Sequence, residues 1–475
     1  MTQQTPVRPL GGADSGALID EDWEAMRFRV HRSAYRDPGV FRDEIARIWG
    51  HTWLYLGHET EIPNAGDFKT RTLGGRPLIF CRDSAGEVKV FLNACTHRGT
   101  ILCRHNEGNT KFFQCFYHAW AFSNSGDLAA LPGDESYPDD PGFRESMRLR
   151  QVPRLQIHEG FVFIAFDPDV PDLLTHLGPA AHYMSLTAKI GEFGMQTLPG
   201  VQLYSVKGNW KLAVENAMDG YHFAPTHNTF VGYLRETGFA VTDDDQYAYD
   251  LGGGHGLLVL TGHNGRIGMV WEPRFGDEEK ARTVAKRNEM IARLGPELAA
   301  EIADASRILF VFPNLLLFDL EALTIRQLEP VAPDRTDVRA WQFVETGEPE
   351  SVRALRIRTM VSFVGPGGLA TPDDIEAYEA VQRGIVATAD SADPAHDWSD
   401  MSRGMANEKQ GNQGRSIDEG AMRSFWRHWA DRVGAATAVA GDPPADPGAP
   451  GPSAVLAAGS AATSGSAAPT ASGKE

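Results

Sequence analysis

The stretch that decides the fold runs from Cys95 to His118 and reads CTHRG at residues 95–99 and CFYH at residues 115–118. Each half supplies one cysteine and one histidine, in the spacings C-x-H and C-x-x-H, and seventeen residues separate the halves. Each half follows a strand-like run, so two hairpin tips can bring the four side chains together. Three interpretations are open: unrelated cysteines and histidines, a structural zinc site, and an iron–sulfur cluster with mixed ligands.

The distribution of ligand types between the two halves favours the cluster. Zinc sites usually pair two cysteines in one half with two histidines in the other, whereas each half is mixed here. A cluster with two thiolates on one iron and two imidazoles on the other has a potential of about −150 to +300 mV and would serve as an electron relay. The remaining cysteines, Cys81 and Cys103, are expected to be ordinary buried thiols.

The composition predicts an acidic globular protein with two or three domains. The chain has 475 residues, 45 Lys+Arg and 63 Asp+Glu, which gives a net charge of −18 and argues against nucleic-acid binding. No apolar run reaches the roughly 18 residues of a membrane helix, and no basic-then-apolar secretion signal is present at the N-terminus. With four cysteines, a disulfide scaffold is also unexpected. We therefore expect a cytoplasmic protein without nucleic-acid or membrane partners.

The hydrophobic pattern divides the chain into four parts. Residues 1–50 are expected to be a loose arm followed by a helix that packs on the larger domain through the apolar stripe Phe41, Ile45, Ile48 and Trp49. Residues 51–168 read as short strands separated by turns, at Trp53–Leu56, Phe68–Leu73, Pro77–Arg82, Val88–Leu92, Phe112–Gln114 and Phe161–Phe166. Residues 169–433 alternate strands with longer helices, which predicts an α+β domain. Residues 434–475 are almost only Ala, Gly, Pro, Ser and Thr and are expected to be disordered. The clearest helices are predicted at Lys211–Met218, Glu278–Leu294, Glu350–Val364 and Ile417–Val433.

A second group of possible metal ligands lies in the larger domain, in the sequence DGYHFAPTH at residues 219–227. Asp219 and His222 are three residues apart and would share one face of a helix. His222 and His227 would be about 140° apart on a continuous helix. We therefore expect Pro225 to end the helix and let the chain bring both imidazoles to one metal. The alternative is two structural histidines at a helix end.

The two groups together resemble the aromatic-ring-hydroxylating dioxygenases, which are Rieske non-haem iron enzymes. The CTHRG and CFYHAW segments look like the Rieske domain of that family, and the D-x-x-H-x₄-H segment looks like its mononuclear iron motif. The resemblance spans about residues 37–432 and implies a large (α) subunit. Its fold would be α+β: a small all-β Rieske domain inserted near the N-terminus of a larger helix-grip catalytic domain with an antiparallel sheet.

The resemblance also assigns roles to individual residues. Asp219 would bridge the iron site to the cluster of a neighbouring subunit, and Asp219 and Asn216 are expected to be catalytic. The third iron ligand is expected to be Asp374, because GPGG and TPDD at residues 365–374 resemble the G-P-x-G…D-D stretch of the family. Asp373 is the alternative ligand, and both carboxylates could instead cap the helix that follows. The cluster would be held by Cys95, His97, Cys115 and His118, and one Fe²⁺ by His222, His227 and Asp374.

The implied activity adds both atoms of O₂ to an aromatic ring and gives a cis-dihydrodiol. Electrons would come from NAD(P)H through a separate reductase, with or without a ferredoxin, because this chain has no G-x-G-x-x-G after a strand. The expected assembly is a homotrimer or an α₃β₃ complex with a small β subunit. A Rieske monooxygenase or demethylase, an electron-transfer protein with a non-catalytic ligand-binding domain and a zinc-stabilised binding protein are the alternatives.

The substrate is expected to be an aromatic carboxylate, since the chain looks most like members that act on p-cumate, phthalate, terephthalate or benzoate. Arg326 lies in an apolar strand-like run at residues 320–328 and could point inward to hold a carboxylate. Alternatively it could pair on the surface with Glu321 or Glu329. The candidate pocket walls are Met218, Phe223, Val364 and Leu369.

Overall fold

A computed structural model describes residues 17–236, 246–261, 265–389, 394–408 and 413–440. Most of the predicted N-terminal arm and most of the predicted C-terminal tail lie outside the described residues. Within the part of the chain that the structure describes, no helix has the length and apolar character that crossing a membrane requires.

The first described elements are a hairpin and two helices. They are β1 (Ala17–Asp22), β2 (Arg27–His31), α1 (Ser33–Arg36) and α2 (Pro38–Arg47). The side chain of Asp37 caps α2 by accepting hydrogen bonds from the amides of Gly39 and Val40. The predicted helix is therefore present. Its fully buried side includes Glu44, a charged residue that the apolar pattern did not predict.

The next part is a β domain made of three small antiparallel sheets. Their strand orders are β6-β5-β4-β7, β10-β9-β8 and β11-β12-β3. The predicted strands of this region are confirmed to within two residues at each end. The elements are β3 (Leu54–His58), β4 (Asp67–Leu73), β5 (Arg76–Arg82), β6 (Val88–Leu92), β7 (Glu107–Asn109), β8 (Phe112–Gln114), β9 (Ala121–Ser123), β10 (Leu128–Ala130), α3 (Pro141–Ser146), β11 (Arg154–His158) and β12 (Phe161–Ala165).

The larger domain is built on a nine-stranded sheet with the order β13-β20-β19-β18-β17-β16-β15-β22, in which β14 also pairs with β20. All of its pairings are antiparallel, as expected. Its nine strands are β13 (Met195–Thr197), β14 (Gln202–Val206), β15 (Gln246–Asp250), β16 (Gly256–Thr261), β17 (Ala305–Val311), β18 (Leu315–Asp319), β19 (Thr324–Ala332), β20 (Arg335–Glu345) and β22 (Gln413–Arg415). Two further strands, β21 (Trp398–Asp400) and β23 (Ala436–Ala440), join β1 and β2 in a four-stranded sheet with the order β21-β2-β1-β23.

The helices of this domain lie between and after these strands. The predicted helices are confirmed, with small shifts at their ends. They are α4 (Leu173–Leu177), α5 (Ala180–Ala188), α6 (Trp210–Ala217), α7 (Phe223–Thr226), α8 (Asn228–Glu236), α9 (Asp277–Leu294), α10 (Pro296–Ala303), α11 (Glu350–Ser362), α12 (Thr371–Ala387), α13 (Met405–Glu408) and α14 (Gly420–Val433).

Alternation along the strands gives the large sheet two buried faces. Leu258 and Leu316 share one hydrophobic cluster with residues of α6 and α14. Their neighbours Leu257 and Leu317 share another cluster with Tyr55 and other residues of the β domain. Residues of the β domain belong to both clusters, and α6, which precedes the predicted iron ligands His222 and His227, packs in the cluster of Leu258 and Leu316.

The C-terminal tail was predicted to be disordered from residue 434, and this is wrong for its first residues. Ala436–Ala440 forms β23, which pairs in parallel with β1. Without β23, β1 would be an edge strand with unpaired backbone groups. Backbone hydrogen bonding at that edge orders the segment although it has almost no large apolar side chains.

Candidate active site and metal centres

The two Cys/His segments form loops with the same backbone hydrogen bonds. The loop at residues 95–100 follows β6, and the loop at residues 115–120 follows β8. In each loop, the backbone amide of the first residue donates a hydrogen bond to the carbonyl of the sixth residue, and the amide of the fifth residue donates to the carbonyl of the first. All four N···O distances are 2.8–2.9 Å. The fifth residue has a positive φ in both loops, +76° at Gly99 and +58° at Ala119. The two halves of the motif are therefore structurally equivalent.

The equivalent loops bring the four predicted cluster ligands together. The imidazole rings of His97 and His118 lie 4.7 Å apart between centroids, and the Nδ1 atom of each is buried without a hydrogen-bond partner. Cys95 and Cys115 are both buried. Burial raises the pKa of the Cys95 thiol, and its hydrogen bond with Cys115 also acts to raise it. Two thiols and two unpartnered imidazole nitrogens are the donor set that a Rieske cluster requires.

The spacing of these four ligand atoms is unlike that of a zinc site. Ligands of one tetrahedral zinc ion lie about 2.0–2.3 Å from the metal and hence within about 4 Å of one another. Within the described residues, there is one group of three or more His, Cys, Asp or Glu side chains whose ligand atoms all lie within 4.8 Å of one another. That group contains none of these four residues. Ligands spread over two irons have no need to converge on one point.

That compact group is His222, His227 and Asp374. One carboxylate oxygen, Asp374 Oδ1, lies 3.4 Å from His222 Nε2 and 3.2 Å from His227 Nε2. Asn216 donates a hydrogen bond from Nδ2 to the same oxygen at 3.1 Å. Two imidazoles and one carboxylate on one side of a possible ion match the facial arrangement of non-haem Fe(II) sites.

The local helix geometry of this group differs from the expectation. Helix α6 ends at Ala217, before Asp219, and Pro225 lies inside the single-turn helix α7. His222 precedes α7 and His227 follows it, so a short helix with a histidine at each end replaces the predicted kink. Asp219 lies in a turn closed by the Tyr221 amide, yet its Oδ2 is still 3.4 Å from His222 Nδ1.

Asp374, and not Asp373, faces both histidines. Asp373 contacts one of them, with Oδ2 3.4 Å from His227 Nδ1. Neither carboxylate caps α12, because the N-cap position is Ala370 and no side chain caps it. Both histidines thus have an outer carboxylate at Nδ1, which is the usual way to orient a metal-binding imidazole.

The electrostatics of the group follow from its burial and its ion pairs. Burial acts to raise the pKa of Asp374, but its contacts with His222 and His227 outweigh this and hold the pKa well below the usual value. Burial acts to lower the pKa of His222, and its contacts with Asp219 and Asp374 reverse this and raise the pKa to about 9. The carboxylate is therefore ionised and able to bind a cation.

A cavity of about 130 Å³ lies beside this group, between the large sheet and the helices. Its floor is the sheet face that carries Leu258, Ile308 and Phe318. Phe223 and Val364, both predicted as pocket walls, line it. Its other lining residues are Asn216, Ala217, Asp219, Gly220, His222, His227, Phe230, Leu234, Gln246, Leu260, Thr261, Leu320, Glu321, Arg326, Phe363, Ala370, Thr371 and Asp374.

Two residues predicted as pocket walls lie elsewhere. Met218 is in the hydrophobic core. Its sulfur packs so closely against the backbone of Gly256 that any side chain there would collide with it, at 2.2 Å from the Cβ position. Leu369 is 36% exposed and is not part of the cavity lining. Sequence reasoning also missed the paired wall residues Phe230 and Leu234, although their i, i+4 spacing on a short amphipathic helix could have indicated them.

Arg326 lines the cavity as expected and is buried, with 7% of its surface exposed. Its Nη2 donates to the carbonyl of Val364 at 2.9 Å and to Thr371 Oγ1 at 2.8 Å. Its guanidinium lies over the ring of Phe318, 4.3 Å from the centroid. Its Nε is buried without a hydrogen-bond partner, and no carboxylate of the described residues forms an ion pair with it.

The surface pairs considered for Arg326 are absent because both glutamates have other partners. Glu321 forms an ion pair with Arg274. Glu329 accepts hydrogen bonds from the backbone amides of Gly74 and Gly75 in the β domain. The alternative of an exposed ion pair is therefore wrong.

Comparison with known proteins matches both domains of the chain. Residues 52–152 match the Rieske [2Fe-2S] domain, and residues 200–435 match the ring hydroxylating alpha subunit (catalytic domain). The toluate 1,2-dioxygenase subunit alpha of Pseudomonas putida is 33% identical over 435 residues, covering 88% of this chain and 93% of that subunit. The chain belongs to the Rieske ring-hydroxylating dioxygenase family. It is an α subunit of that family.

Two further relatives agree with this assignment. The 2-halobenzoate 1,2-dioxygenase large subunit of Burkholderia cepacia is 32% identical over 394 residues, which cover 81% of this α subunit and 82% of that one. The crystal structure of naphthalene 1,2-dioxygenase from Rhodococcus sp. bound to indole superposes with a TM-score of 0.72 at 26% identity, covering 85% of this chain and 94% of that chain. Membership of the family implies a Rieske cluster and a mononuclear iron.

Proposed function

We propose that this α subunit is the oxygenase component of a multicomponent system that adds both atoms of O₂ to an aromatic carboxylate. The product would be a cis-dihydrodiol, and the electrons would come from NAD(P)H through a separate reductase, with or without a ferredoxin. The proposed cluster ligands are Cys95, His97, Cys115 and His118, and the proposed iron ligands are His222, His227 and Asp374.

The observation that carries the choice of substrate is the buried guanidinium of Arg326. A buried charge without a partner lowers stability by several kcal/mol, so a cavity that keeps one is suited to an anionic ligand. Both N–H groups of Nη2 are already donated to Val364 and Thr371, so the donors left for a carboxylate are those of Nη1 and the unpaired Nε. The names of the relatives, toluate and 2-halobenzoate dioxygenases, support the same class of substrate.

The protein groups have separate tasks in this proposal. The bound iron would supply O₂ activation, and the bound cluster would supply single electrons. Arg326 orients the ring by its carboxylate, and the apolar floor excludes water from the reacting carbons. Asn216 holds the carboxylate of Asp374 in place through its hydrogen bond.

Asp219 is the proposed link between the two centres. It lies beside His222, and about one fifth of its side chain is exposed, so it can be reached from outside the chain. A neighbouring α subunit in a head-to-tail ring could place a cluster-binding histidine against it. We therefore propose a homotrimer, or an α₃β₃ complex if a β subunit is present.

The test is product analysis under ¹⁸O₂ with a reductase supplied. We expect benzoate or a toluate to give a cis-dihydrodiol that contains two ¹⁸O atoms. A phenol with one ¹⁸O atom, or formaldehyde released from a methoxybenzoate offered in parallel, would instead establish a monooxygenase or demethylase. Cluster reduction with no product from any aromatic acid would favour electron transfer alone.

The substrate class is tested with Arg326→Met and a pair of similar ligands. For benzoate, kcat/KM should fall about 100-fold, because a charge-assisted hydrogen bond to a buried guanidinium is worth several kcal/mol. For benzamide, which has the same shape without the charge, the change should be much smaller. Equal losses for the two compounds would mean that Arg326 does not bind the carboxylate.

A further inference from the structure

A second charged side chain borders the cavity at the end away from Arg326. Glu321 lies in the turn between β18 and β19, lines the cavity and is 5% exposed. In the register of the two strands Arg326 is opposite Leu316. Phe318 and Thr324 form the last pair before the turn, and Arg326 lies two residues, about 7 Å, farther from the turn along β19, so the two charges arise from different positions along the hairpin.

Glu321 belongs to a group with one cation and two anions. Arg274 donates from Nη2 and Nη1 to the two carboxylate oxygens of Glu321 at 2.5 and 2.9 Å, and from Nε to Glu272 at 2.5 Å. The single guanidinium of Arg274 therefore forms ion pairs with two carboxylates, those of Glu272 and Glu321. Each oxygen of Glu321 has accepted one hydrogen bond from Arg274, and a carboxylate offers about four acceptor positions. Glu321 can therefore accept further hydrogen bonds, and it lines the cavity.

The two ends of the cavity thus have opposite electrostatic character. At one end Arg326 is a cation that no carboxylate of the described residues neutralises. At the other end Glu321 is an anion whose cationic partner, Arg274, also pairs with Glu272. The floor between them is apolar and includes Phe318 and Leu320. An aromatic ring with a carboxylate on one side and a hydrogen-bond donor on another would satisfy all three regions.

We propose that Glu321 is a specificity-determining residue that accepts a hydrogen bond from an amino or hydroxyl substituent on the substrate ring. The substrate class is then an amino- or hydroxy-substituted aromatic carboxylate. This inference rests on the proposed function, because it takes the carboxylate to be bound at Arg326.

The experiment compares matched substrates in matched variants. For wild-type enzyme, kcat/KM is measured with benzoate, the three aminobenzoates and the three toluates, whose methyl group has nearly the size of the amino group but donates no hydrogen bond. For at least one ring position the amino compound should be preferred over the methyl compound about tenfold, the worth of one hydrogen bond to a charged group. In Glu321→Met this preference should disappear.

The control variant is Glu272→Gln, since Glu272 binds the same Arg274 but is not part of the cavity lining. The amino-over-methyl preference should survive there. Loss of the preference in both variants, or its survival in Glu321→Met, would overturn the proposal. If Glu321→Met does not fold, Glu321→Gln replaces it. The amide oxygen is a weaker acceptor, so the preference should shrink, and an unchanged preference would again overturn the proposal.

Failure of this inference differs from failure of the proposed function. If benzoate is dihydroxylated but the preference does not depend on Glu321, this inference alone is wrong. If no acid is turned over, the proposed function is wrong. Calorimetric dissociation constants of the same acids for the same variants then still decide whether Glu321 recognises the substituent.

Discussion

The two proposed metal centres of this α subunit are assembled in contrasting ways. The Cys/His centre uses two neighbouring loops, residues 95–100 and 115–120, which repeat one set of backbone hydrogen bonds. The His/His/Asp centre joins residues beside α7 to a carboxylate in the first turn of α12, far along the chain. The first centre can be recognised from a short sequence, whereas the second depends on the large sheet to bring its parts together.

The largest expected effect comes from removing the distant ligand. Asp374→Ala should reduce product formation more than 1,000-fold, because the open iron site loses its only ligand carboxylate. The red-brown absorption of the cluster should be unchanged, since the partners of the Asp374 carboxylate are His222, His227 and Asn216 and not residues of the Cys/His loops. Steady-state product assays and visible spectra check this. Loss of the cluster spectrum in this variant would show that the two centres are not independent.

A somewhat smaller effect is expected at the residue proposed to link the centres. Asp219→Asn should leave both metals in place but lower turnover about 100-fold, because it removes the carboxylate that contacts His222 and that we propose links the iron site to the cluster of the neighbouring subunit. Single-turnover kinetics separate the steps: cluster reduction should keep its rate, and cluster reoxidation with substrate and O₂ should slow. Normal reoxidation would exclude Asp219 from the electron path.

The outer carboxylate of the other histidine should matter less. Asp373→Asn should weaken iron retention about tenfold, since Asp373 contacts His227 at 3.4 Å but is half-exposed and is not aimed at the metal position. Glu376→Gln is the control, because Glu376 lies on the same helix and pairs with exposed Arg383. Iron release to a chelator measures both. Equal release rates in the two variants would remove Asp373 from the site.

The smallest predicted effect tests the equivalence of the two cluster loops. Gly99→Ala should lower stability by about 1 kcal/mol, because φ is +76° there and a Cβ would meet no other atom, leaving only backbone strain. Ala119→Gly relieves the corresponding strain but adds unfolded-state entropy, so stability should change by less than about 0.5 kcal/mol. Urea unfolding followed by visible absorption measures both. Equal effects would mean that the loops are not equivalent.

Much of the fold was predictable because local signals and tertiary contacts agree. The helix at Asp277–Leu294 was predicted to within one residue, since it lies between Gly276 and Gly295. The strand at Val88–Leu92 was predicted with both ends correct. In both elements the hydrophobic period and the turn residues at the ends give the same answer.

The missed features depend on partners that are distant in sequence. Glu44 was not expected on the buried side of α2, and it is buried because it pairs with Lys211, which is itself fully buried. The strand at Ala436–Ala440 was not expected because its partner is β1 at the other end of the chain. Glu321 was considered only as a surface partner of Arg326, since the ion pair with Arg274 is not visible in the pattern.

Iron content per chain in three proteins tests most directly whether two separate centres are held by these two sets of residues. The wild-type α subunit should contain about three irons, Asp374→Ala about two and Cys115→Ser about one, because a cluster holds two and the mononuclear site holds one. Equal iron loss in both variants would contradict the account. So would a wild-type protein with no more than two irons after full reconstitution.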